Sequence, residues 1–469
     1  MIAKPPDSPK DRAVLVGIQV PGMNSVAVQA SLDELGRLVS TLGLKVVGRL
    51  TQARTSTQTV TVLGPGKLRE LASWTGGKGV VPLSASRRTT GSQPKSDEDD
   101  EPELAAAEPD EDEFETPTGT KETGERADLI VFDNDLSPSQ LRNLEGATGG
   151  EVLDRSSVIL EIFQRHARTR EAKLQVEIAR LAYLAPRLRA TGGGGDRQRG
   201  GIGGKGAGET ALELDRRRVR DRISELKQEL AAVQAEGDAR RARRSNRDTV
   251  ALVGYTNAGK SSLMRALTAT EVLVKDQLFA TLDTTVRPLE PRTRPTIFVS
   301  DTVGFIKKLP HDLVASFRST LEEARDAELL LYVVDASDPE WRSQLDVTRT
   351  VLGEIGAKDM ASILILNKVD RLDDTQREAL SAELPDALLL SAHDSDDIET
   401  LHGRIVAFFE AQMTEETFFI PYRDSRFLNR IHESCRVLEE SFEDEGTRLR
   451  VLAPEGLIAE LKGQLKTSA

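Results

Sequence analysis

Apolar positions along the chain change period several times, and each change marks a separate folded unit. AVLVGIQV (13–20) is largely apolar and predicts a strand. Leu32, Leu35, Val39 and Leu42 then recur at helical spacing, and LKVVGRL (44–50) predicts a second strand. TVLGPGKLREL (61–71) predicts a strand that passes through a Gly-Pro-Gly turn into a helix. DLIVFD (128–133) reads as a strand and SPSQLRNLEGA opens a helix, with Ser137 or Ser139 as its N-cap. EVLD (151–154) closes the series as another strand. This repetition predicts a small α/β domain over residues 1–165.

The pattern then turns purely helical. Leu174, Ile178, Leu181, Ala185 and Leu188 form one stripe, and Val219, Ile223, Leu226, Leu230 and Val233 form another with the same alternating spacing. Between them lies TGGGGDRQRGGIGGKGAGE (191–209), dominated by glycine. The simplest arrangement over 166–247 is an antiparallel helical hairpin with a flexible basic tip. The glycine-rich stretch follows a helix, not a strand, and has no GKS or GKT ending, so it does not read as a phosphate loop. From 248 to 410 short apolar runs alternate with helical stretches and predict a buried parallel sheet. Residues 416–469 predict a small C-terminal α/β unit in which Leu428, Ile431, Cys435 and Leu438 share a buried helix face.

Charge divides the chain as sharply as periodicity does. Residues 97–125 hold 14 acidic residues against one basic, Lys121, and so account for the whole formal net charge of −13. The surrounding insert, 91–126, is rich in Asp, Glu, Pro, Ser, Thr and Gly, cannot bury enough surface to offset ordering entropy, and is expected to be disordered. Residues 165–247 carry 21 Lys or Arg against 11 Asp or Glu, a surplus suited to a polyanion. No apolar run is long enough to span a membrane, and MIAKPPDSPKDRAVLVG lacks the features of a secretory signal. The single cysteine, Cys435, fits a reducing cytoplasm.

The strongest chemical signal is TVALVGYTNAGKSSLMRAL (249–267). An apolar strand runs into Gly254-Tyr255-Thr256-Asn257-Ala258-Gly259-Lys260-Ser261 and then into an amphipathic helix. Glycines permit the tight loop, its main-chain N–H groups and the helix N-terminus face phosphate, Lys260 reaches the β- and γ-phosphates, and the Ser261 hydroxyl can ligate Mg²⁺. Ile297 to Val299 predicts a strand that ends in Asp301-Thr302-Val303-Gly304. An acidic residue there suits water-mediated Mg²⁺ binding, and the Gly304 N–H can sense a γ-phosphate. Leu329 to Val334 and Ile363 to Leu366 predict further strands, the second ending in Asn367-Lys368-Val369-Asp370. The Asp370 carboxylate can accept from N1–H and the 2-amino group of guanine, a pair adenine does not offer, and left buried without them it would be costly. Leu388 to Leu390 leads to Ser391-Ala392-His393, whose main-chain N–H groups can back the base. Between the first two motifs, Thr281, Thr284 and Thr285 are all candidates for a switch threonine that reaches Mg²⁺ when the γ-phosphate is present.

With those motifs in hand, the chain resembles the HflX family of GTPases. GYTNAGKSS, FATLD, DTVGFI and NKVD are similar to that family's nucleotide motifs, and LGPGKLREL, VFDNDLSPSQLRNLE, RHARTREAKLQVE and ELDRRRVRDRI to its other signature stretches. The acidic insert and the length of the glycine-rich tip depart from the family pattern. The resemblance implies a multi-domain α/β chain: a P-loop GTPase fold with an N-terminal α/β domain, a helical hairpin and a small C-terminal α/β domain. It implies that Thr281 is the switch threonine on Mg²⁺ and that Phe279, Ala280, Leu282 and Asp283 line the nucleotide. It implies a cytoplasmic enzyme, expected to be a monomer, that hydrolyses GTP and binds the 50S ribosomal subunit and its rRNA. Splitting of stalled ribosomes, with the hairpin approaching RNA, would follow. The alternatives are a GTP-switched RNA-binding protein of ribosome biogenesis and an ATP-driven RNA remodeller. Independently of the resemblance, Arg165, Arg168, Arg170, Lys173, Arg197, Arg199, Lys205, Arg216, Arg217, Arg218, Arg220 and Arg222 crowd the hairpin and its tip and suit phosphate contact without base readout.

Two positions bear on rate. Many GTPases place a glutamine after DxxG to orient water, and here Phe305 stands there, so intrinsic hydrolysis is expected to be slow and to need outside help. Asn257 matches the asparagine that some GTPases use with K⁺ in place of an arginine finger.

Overall fold

The computed structural model describes residues 12–81, 126–188, 211–242, 248–268, 279, 285–307 and 323–468. The acidic insert up to residue 125, the glycine-rich tip and the segment Ala280 to Thr284 lie outside the described residues. The chain divides into two compact units, one of residues 1–165 with 183–217, the other of 166–182 with 218–469.

In the first unit, β1 (Arg12–Gln19), β2 (Lys45–Ala53), β3 (Leu129–Phe132) and β4 (Glu151–Asp154) form a parallel sheet in the order β2-β1-β3-β4. The connecting helices are α1 (Ser25–Thr41), α2 (Pro65–Thr75), α3 (Pro138–Thr148) and α4 (Arg155–His166). Of the two serine caps considered for α3, Ser137 is the one used. Its side chain accepts from the Gln140 N–H, and the Gln140 side chain accepts from the Ser137 N–H, a reciprocal capping box.

One expectation fails here. Residues 61–63 are not a strand; Val62 adopts φ +64°, in the left-handed region, and is buried. A β-branched residue there cannot continue a strand, and the chain instead turns directly into α2.

The buried charges of this unit are paired. The Arg155 guanidinium, 1% exposed, donates to Asp133 at 2.7 Å and to Glu34, and Ser31 Oγ donates to Asp133 at 2.7 Å. Asp154 accepts from Tyr183 Oη at 2.6 Å and from Arg187 at 3.2 Å, while the guanidinium of Arg187 stacks 3.5 Å from the Tyr183 ring. Burial and the neighbouring Asp154 push the Tyr183 phenol well above its ordinary value, so it acts as a neutral donor.

The helix pair consists of α5 (Arg170–Leu184) and α6 (Ala211–Ala242). Leu174, Ile178 and Leu181 pack with Ile223, Leu226, Leu230 and Val233. Arg170 pairs with Glu229 and Arg222 with Glu177, so residue numbers rise on one helix as they fall on the other and the pair is antiparallel. The stripe is shorter than the sequence predicts, because α5 ends at Leu184 and Ala185 begins a 3-10 turn. Arg216, Arg217, Arg218, Arg220 and Arg222 are all exposed on α6, as are Arg168 and Lys173 before and on α5. Arg197, Arg199 and Lys205 lie outside the described residues.

The second sheet has six strands: β5 (Thr249–Gly254), β6 (Thr285–Pro288), β7 (Phe298–Asp301), β8 (Leu329–Asp335), β9 (Ser362–Asn367) and β10 (Leu388–Leu389), in the order β10-β9-β8-β5-β7-β6. All pairs are parallel except β6 with β7. Around it lie α7 (Lys260–Thr268), α8 (Trp341–Glu354), α9 (Asp374–Glu383) and α10 (Ser395–Glu410). Central strands covered on both faces need no polar positions, which is why β5 and β8 read as unbroken apolar runs. The C-terminal strands β11 (Thr414–Pro421), β12 (Arg436–Glu443) and β13 (Gly446–Ala453) form an antiparallel sheet in the order β11-β13-β12, with α11 (Ser425–Ser434) and α12 (Glu455–Ser468). Cys435 is buried there as expected, but α11 ends before it and Leu438 lies on β12, 39% exposed. The helix face predicted across 428–438 is therefore a helix followed by a strand.

Candidate nucleotide site

The strand order brings the C-terminal ends of β5, β7, β8 and β9 to one edge of the six-stranded sheet, where parallel α/β folds bind their ligands. β5 ends at Gly254 and α7 begins at Lys260, so Gly254 to Gly259 form the loop between them. Asn257 takes φ +61° and Gly259 φ +99°. A Cβ on Gly259 would stand 2.1 Å from Asn367 Nδ2, so the loop closes only with glycine there.

Lys260 is 7% exposed, and its ammonium donates to the carbonyl oxygens of Gly254 at 2.9 Å and Tyr255 at 2.8 Å. Burial pulls its pKa down to about 8, with Asp301 pulling the other way. Ser261 Oγ donates to Asp301 Oδ2 at 3.0 Å, which joins the two hard oxygen donors at the ends of α7 and β7.

The DTVG segment is laced to the phosphate loop by main chain. The Phe305 N–H donates to Gly254 O at 3.1 Å, and the Thr256 N–H donates to Phe305 O at 2.8 Å. Thr302 Oγ1 donates to Leu252 O at 2.7 Å, and Val303 is buried. A Cβ on Gly304 would come within 2.9 Å of Thr256 Cγ2 and 3.1 Å of Lys260 Nζ, so this loop lies against the lysine with no room for a side chain.

The NKVD and SAH segments close the other side. Asn367 Nδ2 donates to Ala258 O at 2.8 Å, and its Oδ1 accepts from the Ala392 N–H at 3.1 Å. Lys368, at φ +64°, donates to Asn257 O and to Asp335, both at 2.7 Å. Val369 is buried and its N–H donates to Leu390 O at 3.4 Å. Ser391 N–H donates to Asp397 at 2.7 Å, and His393 N–H donates to Ser391 Oγ at 3.3 Å. Asp370 is exposed at the mouth and has no hydrogen bond or ion pair among the described residues. It sits on the turn after β9, just beyond the end of the strand.

Tyr255, Thr256, Ala258, Gly304 and Asn367 are therefore gathered within one network. Phe279 is buried at φ +58°, Thr285 opens β6 opposite Asp301, and Ala280, Thr281, Leu282 and Asp283 lie outside the described residues. Two residues of the network escaped sequence reasoning. Asp335, at the end of β8, holds Lys368 and accepts from Ser337 at 2.6 Å, and Asp397 on α10 orders Ser391. Asp335 carried a usable signal, an acidic residue closing an apolar strand as Asp301 does; Asp397 carried none.

Known proteins decide what this network belongs to. Residues 29–94 and 118–164 match the family model described as GTP-binding GTPase N-terminal, residues 166–244 its middle region, and residues 249–368 a 50S ribosome-binding GTPase. A GTPase HflX of Gluconacetobacter diazotrophicus is 56% identical over 97% of this chain and 97% of its own length. The chain belongs to the HflX family of GTPases. GTPase HflX of Caldanaerobacter subterraneus is 35% identical over 94% of this chain and 90% of its own, and that of Escherichia coli 41% identical over 70% and 77%. This HflX-family chain is a GTP-hydrolysing enzyme with a mixed α/β, P-loop GTPase fold. No helix among the described residues is long and apolar enough to cross a membrane.

Proposed function

We propose that this HflX-family GTPase acts in the cytoplasm as a monomer, binds the 50S ribosomal subunit and its rRNA through the exposed arginines of the helix pair, and uses GTP to dissociate stalled ribosomes. The observation that carries the reading is a run of exposed arginines along α6: Arg216, Arg217, Arg218 and Arg220 give one stretch of the helix a concentrated positive charge suited to phosphates. The match of residues 249–368 to a model described as a 50S ribosome-binding GTPase supports the same partner. Sedimentation with ribosomal subunits tests it. The expected result is cosedimentation with the large subunit in a non-hydrolysable GTP analogue, weaker in GDP and lost on reversing Arg216 to Arg218 to glutamate; equal pelleting of the reversed variant overturns it. If subunits separate with the analogue alone, GTP binding suffices and the GTP-switched RNA-binding reading gains.

The chemistry follows from the site. In this reading the phosphate-loop N–H groups and Lys260 hold the β- and γ-phosphates, the Gly304 N–H meets the γ-phosphate, and Asp370 reads guanine with Asn367, Lys368, Val369, Ser391, Ala392 and His393 shaping its seat. The Ser261 hydroxyl beside the Asp301 carboxylate is a hard-oxygen donor set that fits Mg²⁺, with Thr281 adding a hydroxyl. Mg²⁺ supplies neutralisation of charge that develops on the phosphate oxygens. Phe305 is buried and its side chain cannot orient water, so the ribosome supplies or orders the missing group.

The Asn257 side chain is exposed at the lip of the loop while its carbonyl is taken by Lys368, which leaves the amide oxygen available to a K⁺ ion. Turnover is accordingly expected to be faster in K⁺ than in Na⁺ at equal ionic strength, and an assay giving equal rates removes this proposal.

A further inference from the structure

The loop that carries Gly304 has no side chain able to place water, because the position after it is Phe305. Whatever this loop itself contributes at the γ-phosphate must come from main chain, and a main-chain donor is only as well placed as the loop that holds it. Among the described residues, three hydrogen bonds join that loop to the phosphate loop. Two are main chain to main chain, between Phe305 and both Gly254 and Thr256. The third is different: the Lys307 N–H donates to the phenolic oxygen of Tyr255 at 2.5 Å.

The Tyr255 ring is packed inside the fold. The residue is 4% exposed and pairs as an isolated parallel bridge with Phe305. Its carbonyl oxygen accepts from Lys260 Nζ at 2.8 Å. The same residue thus touches the buried lysine through its main chain and the exit of the DTVGF segment through its hydroxyl. Lys307 is tied a second time, by an ion pair of its ammonium with Glu340 at 2.8 Å. Lys307 is thereby held through both its main chain and its side chain.

We propose that the Tyr255 hydroxyl is a positioning device for GTP hydrolysis, setting the Gly304–Lys307 main chain at the γ-phosphate end of the site. The inference rests on the reading of Gly304 as the γ-phosphate donor. It predicts a selective effect. Base and β-phosphate contacts come from elsewhere in the network, so removing the hydroxyl should slow the chemical step and leave nucleotide binding alone.

Tyr255→Phe keeps the ring and removes the acceptor. In the full chain kcat for GTP is expected to fall about fivefold to tenfold, the loss of one buried hydrogen bond felt mainly in the transition state. KM for GTP and affinity for GDP should stay within about twofold of the parent, the pattern of an interaction made only during turnover. Hydrogen exchange at the Lys307 amide should rise in the variant, a readout that a packing role for the ring would not move. Parent-like kcat in Tyr255→Phe overturns the inference, as does a fall in kcat matched by an equal loss of GDP affinity. Parent-like kcat with guanine selectivity intact leaves the nucleotide site itself standing, whereas loss of GTP binding by the parent chain would remove that site.

Discussion

Replacing Asp370 by asparagine should weaken GTP binding about 100-fold or more, because one of two hydrogen bonds to the carboxylate, each worth about 1.5–3 kcal/mol, is lost to a donor–donor clash and the other loses its charge. The aspartate offers two acceptor oxygens to the N1–H and 2-amino group of guanine. Asparagine replaces one acceptor with a donor, which then faces a donor on the base. The same replacement should favour a purine with a carbonyl at position 2, so xanthosine triphosphate is expected to overtake GTP in the variant. The fold should tolerate the change, since Asp370 is exposed and makes no hydrogen bond or ion pair among the described residues. Calorimetric titration of parent and variant with GTP, ATP and xanthosine triphosphate measures all three. Asp370→Asn binding GTP within about threefold of the parent would remove Asp370 as the guanine reader, since the altered bonds then contribute less than about 1 kcal/mol.

The neighbouring residues explain why a single carboxylate can be decisive. Asp370 follows Asn367 and Lys368, each of which spends its side chain on the phosphate loop: Asn367 on Ala258 O, Lys368 on Asn257 O and Asp335. They fix the turn after β9 to the loop before α7. Asp370 thereby inherits a position set by the loop before α7, so in the proposed reading base and triphosphate would be recognised by one connected geometry.

Much of this was legible in the chain. Strands β5, β7, β8 and β9 are apolar because they are central, and a central parallel strand leaves little alternative in sequence. The phosphate loop is legible because its glycines answer contacts that only glycine allows, as at Gly259 against Asn367. β6 escaped because Thr-Val-Arg-Pro is short, half exposed and ends in proline, the signature of an edge and not of a core strand. The strand expected at residues 61–63 was apolar enough but is denied by the left-handed φ of Val62, which composition does not encode. The pairs that finish the site, Lys368 with Asp335 and Tyr255 with Lys307, join residues 33 and 52 positions apart. Such long-range partners emerge only when strand order is known, since neither residue's local pattern names the other.

Lys260 carries the other large expectation, and its pH dependence separates binding from stability. Lys260→Ala should reduce GTP affinity by about 100-fold to 1,000-fold, the loss of charge-assisted bonds worth about 3–4 kcal/mol. In the parent chain burial holds the lysine at about 8, so below that pH the ammonium is already the main form and this group imparts no pH dependence to binding. Above about pH 8 the free protein sheds the proton, a bound triphosphate must restore it, and affinity should fall by up to about tenfold per pH unit until the group in the complex also titrates. Folding responds with the opposite sign. In that same range the unfolded lysine still holds its proton while the folded one has lost it, so the unfolded chain binds more protons and the free protein gains stability as pH rises. Titrations and thermal melts of parent and Lys260→Ala from about pH 7 to 10 test both slopes, and the variant should lose each of them. A parent affinity that stays flat across that range would mean that the ammonium is not what holds the phosphates.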